Sequence, residues 1–244
     1  MSSRLTFVSR LVSRYLMPLQ PSLNILLAQR LLGSYDSRRL VDWAGAALAD
    51  GYLTGRLTEL AGMADAPVVE RERCFLEAIT ELDLALDADR DTLLRNYATY
   101  LARRVAKGYL EHTAALTDLQ AIYVASDYDS RYQAFYLLAE DLAALHAGNT
   151  TVLTRDLTRE NASNVISCAC TDFLSWEAVG INPHRWGAVY CFSCGHVDAS
   201  PQKANWLNGQ RPRYVCSHCG SGRVGDFSEA EDRHRILEAA SRRA

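Results

Sequence analysis

Two short cysteine pairs constrain this chain more than any other feature. Cys191-Phe192-Ser193-Cys194-Gly195 and Cys216-Ser217-His218-Cys219-Gly220 share the pattern CxxCG, and 21 residues separate Cys194 from Cys216. A CxxC turn presents two sulfurs to one side of an ion. Two such turns present four, the number a tetrahedral metal takes at about 2.3 Å per sulfur. The glycine after the second cysteine suits a tight, often left-handed backbone in which N–H groups point at sulfur. The spacer carries Asn208-Gly209 at its centre, the preferred pair for a type I′ hairpin turn. Strands are therefore predicted over about 202–207 and 210–215, pairing across that turn, with Pro212 confined to an edge.

On these residues the segment 186–225 resembles the zinc ribbon family, a likeness that covers about 40 of the 244 residues. The resemblance implies a small β fold and a zinc ion with Cys191, Cys194, Cys216 and Cys219 as ligands. It implies no particular task, because ribbons serve in nucleic-acid binding, protein docking and purely structural roles. Iron, held as in rubredoxin by similar knuckles, stays open as the alternative metal. Four thiolates close the coordination shell and leave no position for water, which argues against metal catalysis. A unit this small cannot build much of a core. Structural zinc supplies folding energy on the order of 10 kcal/mol in small fingers. His196 and His218 flank the ligands, and either could replace a cysteine.

The first 180 or so residues read as helix. Leu40, Trp43, Ala44, Ala47 and Leu48 form an i, i+3, i+4, i+7, i+8 stripe, with Asp36 or Ser37 as cap and Gly51 as stop. Leu94, Tyr97, Leu101 and Val105 mark a second helix ending at Gly108, and Phe135, Leu138, Leu142 and Leu145 a third ending near Gly148. Others are predicted around 22–32, 53–62, 68–83, 114–125 and 159–174, and a last one from Asp226 or Ser228. Tyr35-Asp36-Ser37-Arg38 recurs as Tyr128-Asp129-Ser130-Arg131, each copy opening a helix. Two copies do not make a solenoid; a compact irregular bundle is favoured over an array of helical hairpins. The expected organisation is thus mainly α: an irregular multi-helix bundle over 1–180, a small β zinc ribbon over 185–226, and a C-terminal helix over 227–244 that packs back. The segment Leu26–Gly62 resembles a helical segment of uncharacterised bacterial proteins. That likeness implies a bacterial, cytosolic origin and carries no activity or site residue across.

Net charge is −3, so overall charge favours neither nucleic acid nor a membrane. The distribution is uneven. Residues 1–34 hold four Arg and no acid, 35–150 hold 19 acids against 11 bases, and 185–225 hold five bases against Asp198 alone. No apolar run approaches the ~20 residues of a membrane-spanning helix, so no integral membrane association is expected. Leu5, Val8, Val12, Tyr15 and Leu16 place an apolar face on an acid-free start. It reads as a helix docked on the domain, with a transit peptide or membrane-surface helix as the alternative. Seven cysteines, four of them in CxxC pairs, fit a reducing, cytoplasmic setting better than a disulfide framework.

Other motifs fall away. Gly220–Gly225 matches GxGxxG, but it overlaps a knuckle and no βαβ unit surrounds it. No phosphate loop, HExxH, deaminase pattern or GxSxG elbow is present. Cys168 and Cys170 would diverge by about 200° on a helix and read as small packing residues. His112, His146, His184 and His234 are isolated in the sequence. The acids Glu81, Asp83, Asp87, Asp89 and Asp91 lack EF-hand alternation and read as a solvated loop with a cap.

Three functions follow. The leading one is a non-catalytic zinc-binding interaction protein, its helical body docking a protein partner. The alternative is a nucleic-acid-binding protein using the basic ribbon: Lys203, Arg211, Arg213 and Arg223 for phosphate, Trp206 and Tyr214 for stacking. The third is an enzyme whose site lies in a cleft of the helical domain, to be recognised by a pocket of convergent carboxylates or histidines.

Overall fold

The computed structural model describes residues 19–33, 35–86, 89–154, 156–184, 188–199, 201–203, 214–227 and 229–243. The amphipathic start, the Asn208-Gly209 turn, Trp206, Arg211, Pro212 and Arg213 lie outside them. Among the described residues the fold is mainly α, with a small antiparallel sheet near the C-terminus. No helix there is long and apolar enough to cross a membrane. The chain divides into two compact units, Met1–Tyr97 and Ala98–Ala244.

The first unit holds α1 (Leu19–Leu31), α2 (Arg38–Ala49), α3 (Gly55–Ala61) and α4 (Val68–Glu81). Helix α5 (Arg90–Ala106) contains the division between units. Its N-terminus is capped by Asp89, which accepts the Thr92 N–H at 3.0 Å, so the acidic run ends in a cap as expected. The apolar stripe of α2 lies buried with Leu23, Leu57, Leu60, Phe75 and Ile79, and Trp43 meets Phe75 edge to face at 5.6 Å. Helix α1 begins three residues before the predicted start. Pro21 lies within its first turn, where a missing N–H costs nothing.

The second unit holds α6 (His112–Ala125), a 3₁₀ turn (Ser130–Tyr132), α7 (Gln133–His146), α8 (Ala162–Val179) and α9 (Ala230–Ser241). Helix α6 begins two residues before its predicted start because Glu111 caps it, accepting the N–H groups of Thr113 and Ala114. Helix α8 runs five residues past the predicted end. It stops where Gly180 takes a left-handed φ of 68° and Ile181 donates back to Trp176.

Strands β1 (Val189–Cys191), β2 (Val197–Asp198) and β5 (Val224–Asp226) form one antiparallel sheet in the order β2-β1-β5. Strands β3 (Gln202–Lys203) and β4 (Tyr214–Val215) form a second, antiparallel pair. Its register sets Gln202 opposite Val215 and Lys203 opposite Tyr214; the turn predicted between these strands lies outside the described residues. Trp176 of α8, Tyr190 of β1, Phe227, and Ile236 and Ala240 of α9 share one buried cluster. The sheet thus gains from two helices the core that it is too small to supply itself.

Candidate metal centre

The first knuckle leaves β1 at Cys191 and re-enters the sheet at β2; the second follows β4 and leads to β5. They share one backbone plan. Gly195 donates to the carbonyl of Cys191 and Gly220 to that of Cys216, both at 2.8 Å. Cys191 donates to His196 and Cys216 to Ser221, both at 2.9 Å. Gly195 and Gly220 have φ of 79° and 71°, a left-handed conformation that glycine adopts without steric cost.

This plan brings four sulfurs together. The Sγ atoms of Cys191, Cys194, Cys216 and Cys219 all lie within 4.8 Å of one another. Cys191 is 3.6 Å from Cys219, and Cys194 is 3.7 Å from Cys216. A tetrahedron with metal–sulfur bonds of 2.3 Å has edges of about 3.8 Å, so the spacing fits a four-thiolate metal site. Cys191 and Cys216 are buried, while Cys219 is exposed.

The electrostatics favour a first thiolate and penalise later ones. Burial opposes ionisation of Cys191, but N–H groups of Cys194 and Ser193 aimed at its sulfur prevail and lower its pKa to about 6. The Ser221 N–H favours the Cys219 thiolate. Burial and the three neighbouring thiols outweigh it and push that pKa up to about 12. Four sulfurs this close cannot all carry negative charge unless a cation sits among them.

Four further residues brace the site, and sequence reading assigned none of them a role. Asp198 is 5% exposed, and its Oδ2 accepts the N–H of Ser217 at 2.9 Å. Its signal was available, since it is the only acid among residues 185–225. Arg243, two residues past α9, donates to the carbonyls of Phe192 and Ser193 at 2.8 and 3.2 Å. Ser193 and Ser221 link the knuckles through their hydroxyls at 2.8 Å. His196 and His218 are exposed and stack on each other, ring centroids 5.4 Å apart, beside the cysteine cluster.

Of the residues named for nucleic-acid contact, Tyr214 is half-buried on β4 and Arg223 is exposed before β5. Lys203 pairs with Tyr214 through the β3–β4 ladder. Trp206, Arg211 and Arg213 lie outside the described residues. The histidines isolated in sequence are not all isolated in space. His184 and His234 line one cavity together with Arg131, Asp172, Glu177 and Arg233. The chain matches no family model, no curated protein and no solved structure, so the site stands on its own geometry.

Proposed function

We propose that this chain is a non-catalytic, zinc-dependent interaction protein: a zinc ribbon stabilises part of a helical body that docks a protein partner. The observation that carries this reading is the cluster of four sulfurs within 4.8 Å. Four thiolates fill a tetrahedral shell and leave no coordination position for a substrate, so the metal's work is structural. Zinc is favoured over iron because a structural role asks for no redox chemistry. The shared core of Trp176, Tyr190, Phe227 and Ile236 supports the idea that the metal firms a larger surface than the ribbon alone.

Metal analysis of the purified protein tests the first half. One zinc per chain, lost in a Cys191→Ser/Cys216→Ser variant, supports the reading. Bound iron with visible thiolate charge-transfer absorption would replace it with an electron-transfer role.

A second reading, nucleic-acid contact through the ribbon, draws on the exposed Arg223 and the pairing of Lys203 with Tyr214. Fluorescence anisotropy with single-stranded DNA, duplex DNA and RNA at about 50 and about 200 mM salt decides it. Salt-sensitive binding that an Arg211→Ala/Arg213→Ala variant loses would favour nucleic acid over a protein partner. No binding at the lower salt would eliminate this reading.

A further inference from the structure

Within the second unit, α7, α8, residues 181–184 and α9 enclose a cavity of about 320 Å³. That is enough for a compact organic ligand. Its apolar lining is fixed by packing. Phe135, Phe173 and Trp176 are each at most 7% exposed, and Phe135 meets Phe173 edge to face at 5.5 Å. Aromatic edges so constrained give a ligand a firm apolar wall whose ordering entropy folding has already met.

The polar groups around this lining differ in how far they are committed. Arg131 is engaged, its Nε and Nη2 both on Asp129 Oδ2 at 2.9 and 2.8 Å. His234 reaches Glu238 at 3.3 Å. Arg233 is held more loosely, its Nη1 donating to the Phe227 carbonyl at 3.5 Å, the outer limit of a hydrogen bond. A carbonyl leaves the guanidinium charge uncancelled. Arg233 also acts on His184, whose pKa is lowered by burial and then by this guanidinium, with Asp172 opposing. The imidazole therefore stays neutral near pH 7 and can donate one hydrogen bond without adding charge. Two carboxylates share the lining: Asp172 is exposed, so water screens it, and Glu177 is half-buried and acts on Arg131.

We propose that this cavity binds a small ligand with a compact apolar body and a carboxylate group. The body lies against Phe135, Phe173 and Trp176, and the carboxylate is taken by Arg233 with His184 beside it. A guanidinium matches the two oxygens of a carboxylate in one plane. The partly dry surroundings strengthen that pair beyond its value in water. This site goes beyond the metal-dependent docking role and does not depend on it.

Isothermal titration of the full-length, metal-loaded protein with three probes of one shape tests the proposal: 3-phenylpropionate, 3-phenylpropanol and 3-phenylpropylammonium. The carboxylate is expected to bind at least about tenfold tighter than the other two. Arg233→Gln should bring it down to the level of the alcohol, and Arg233→Lys should keep part of the preference. Ala169→Trp, which fills the cavity from α8, should abolish binding of all three. Ala134→Trp does the same from α7 and serves if the first variant fails to fold. Tightest binding of the ammonium probe would overturn the proposal, because it would put Asp172 in charge of recognition. Equal affinities, an unaffected Arg233→Gln variant, or no binding of the carboxylate at millimolar concentration would overturn it as well.

Discussion

Asp198 steadies the second knuckle: its Oδ2 accepts the Ser217 N–H at 2.9 Å, and it does so while 5% exposed. A group that fixes the backbone next to a ligand shapes metal affinity without touching the metal. Removal of such groups commonly costs about 10–100-fold in affinity. At the proposed zinc site, Asp198→Ala should therefore weaken metal affinity by about that factor in a competition titration with a chromogenic chelator, while the four cysteines remain. An unchanged affinity would mean the knuckle holds its shape without the carboxylate. At Gly195 two causes coincide. Its φ is 79°, and a Cβ there would come within 2.5 Å of Arg243 Nη1. Only the first is legible in the sequence, as the glycine of CxxCG. The second depends on a residue 48 positions later.

Elements in this fold are fastened by short polar devices. The sequence echo at Tyr35 and Tyr128 is one of them. Asp36 accepts the Arg38 N–H and Asp129 the Arg131 N–H, both at 2.9 Å, so the repeat encodes a cap rather than a repeated domain. A second device ties α7 to the loop that follows it. Asp141 is 3% exposed and accepts the N–H groups of Val152 and Leu153 at 2.9 Å, and that of Thr154. Burial opposes its ionisation, but these donors prevail and lower its pKa below the ordinary 3.8. A depressed folded-state pKa contributes stability that is complete above the unfolded value and is lost as pH falls through the folded value. Asp141→Ala should thus be less stable than wild type near pH 7 by about 1–3 kcal/mol. In urea unfolding the gap should close as the pH is taken below the ordinary value. A gap that does not change with pH would exclude the carboxylate's charge as its source.

Helix α9 is fastened at both ends. The carboxylate of Asp232 accepts the Asp226 N–H at 2.9 Å, and Arg243 reaches the first knuckle. Arg243→Ala should speed metal release to excess chelator by about fivefold, the equivalent of one net hydrogen bond. An identical release rate would show that the contact does not hold the knuckle closed.

For the whole molecule, the two units rest on different kinds of energy. The first unit buries leucines, Trp43 and Phe75 from four helices and needs no metal to do so. In the second, the sheet's core consists of a few side chains shared with α8 and α9. Closure of the knuckles that frame it depends on the cysteines. Metal removal should therefore raise amide hydrogen exchange in β1, β2, β4, β5 and α9, while helices α1 to α4 keep their protection. Exchange that rises equally in both units would mean that the metal stabilises the chain as a single cooperative block.

Elements whose cause is local can be read without the fold. Apolar stripes recur at helical spacing, Asp supplies caps, and CxxCG knuckles close on their own backbone. Each depends on residues within a few positions of one another, so each is readable from the chain alone. The cysteine cluster was legible for the same reason, since its turns are local and a metal shared between them would require that they meet. Tertiary structure decided what has no local cause. It brought Arg243 to the first knuckle and carried α8 through to Gly180, where Trp176 packs under the sheet. It also gathered Arg131, Asp172, His184 and Arg233 around one cavity. Those side chains come from segments whose separation in sequence says nothing of their distance in space; only the burial of the helices' apolar faces sets which charged residues end up facing each other.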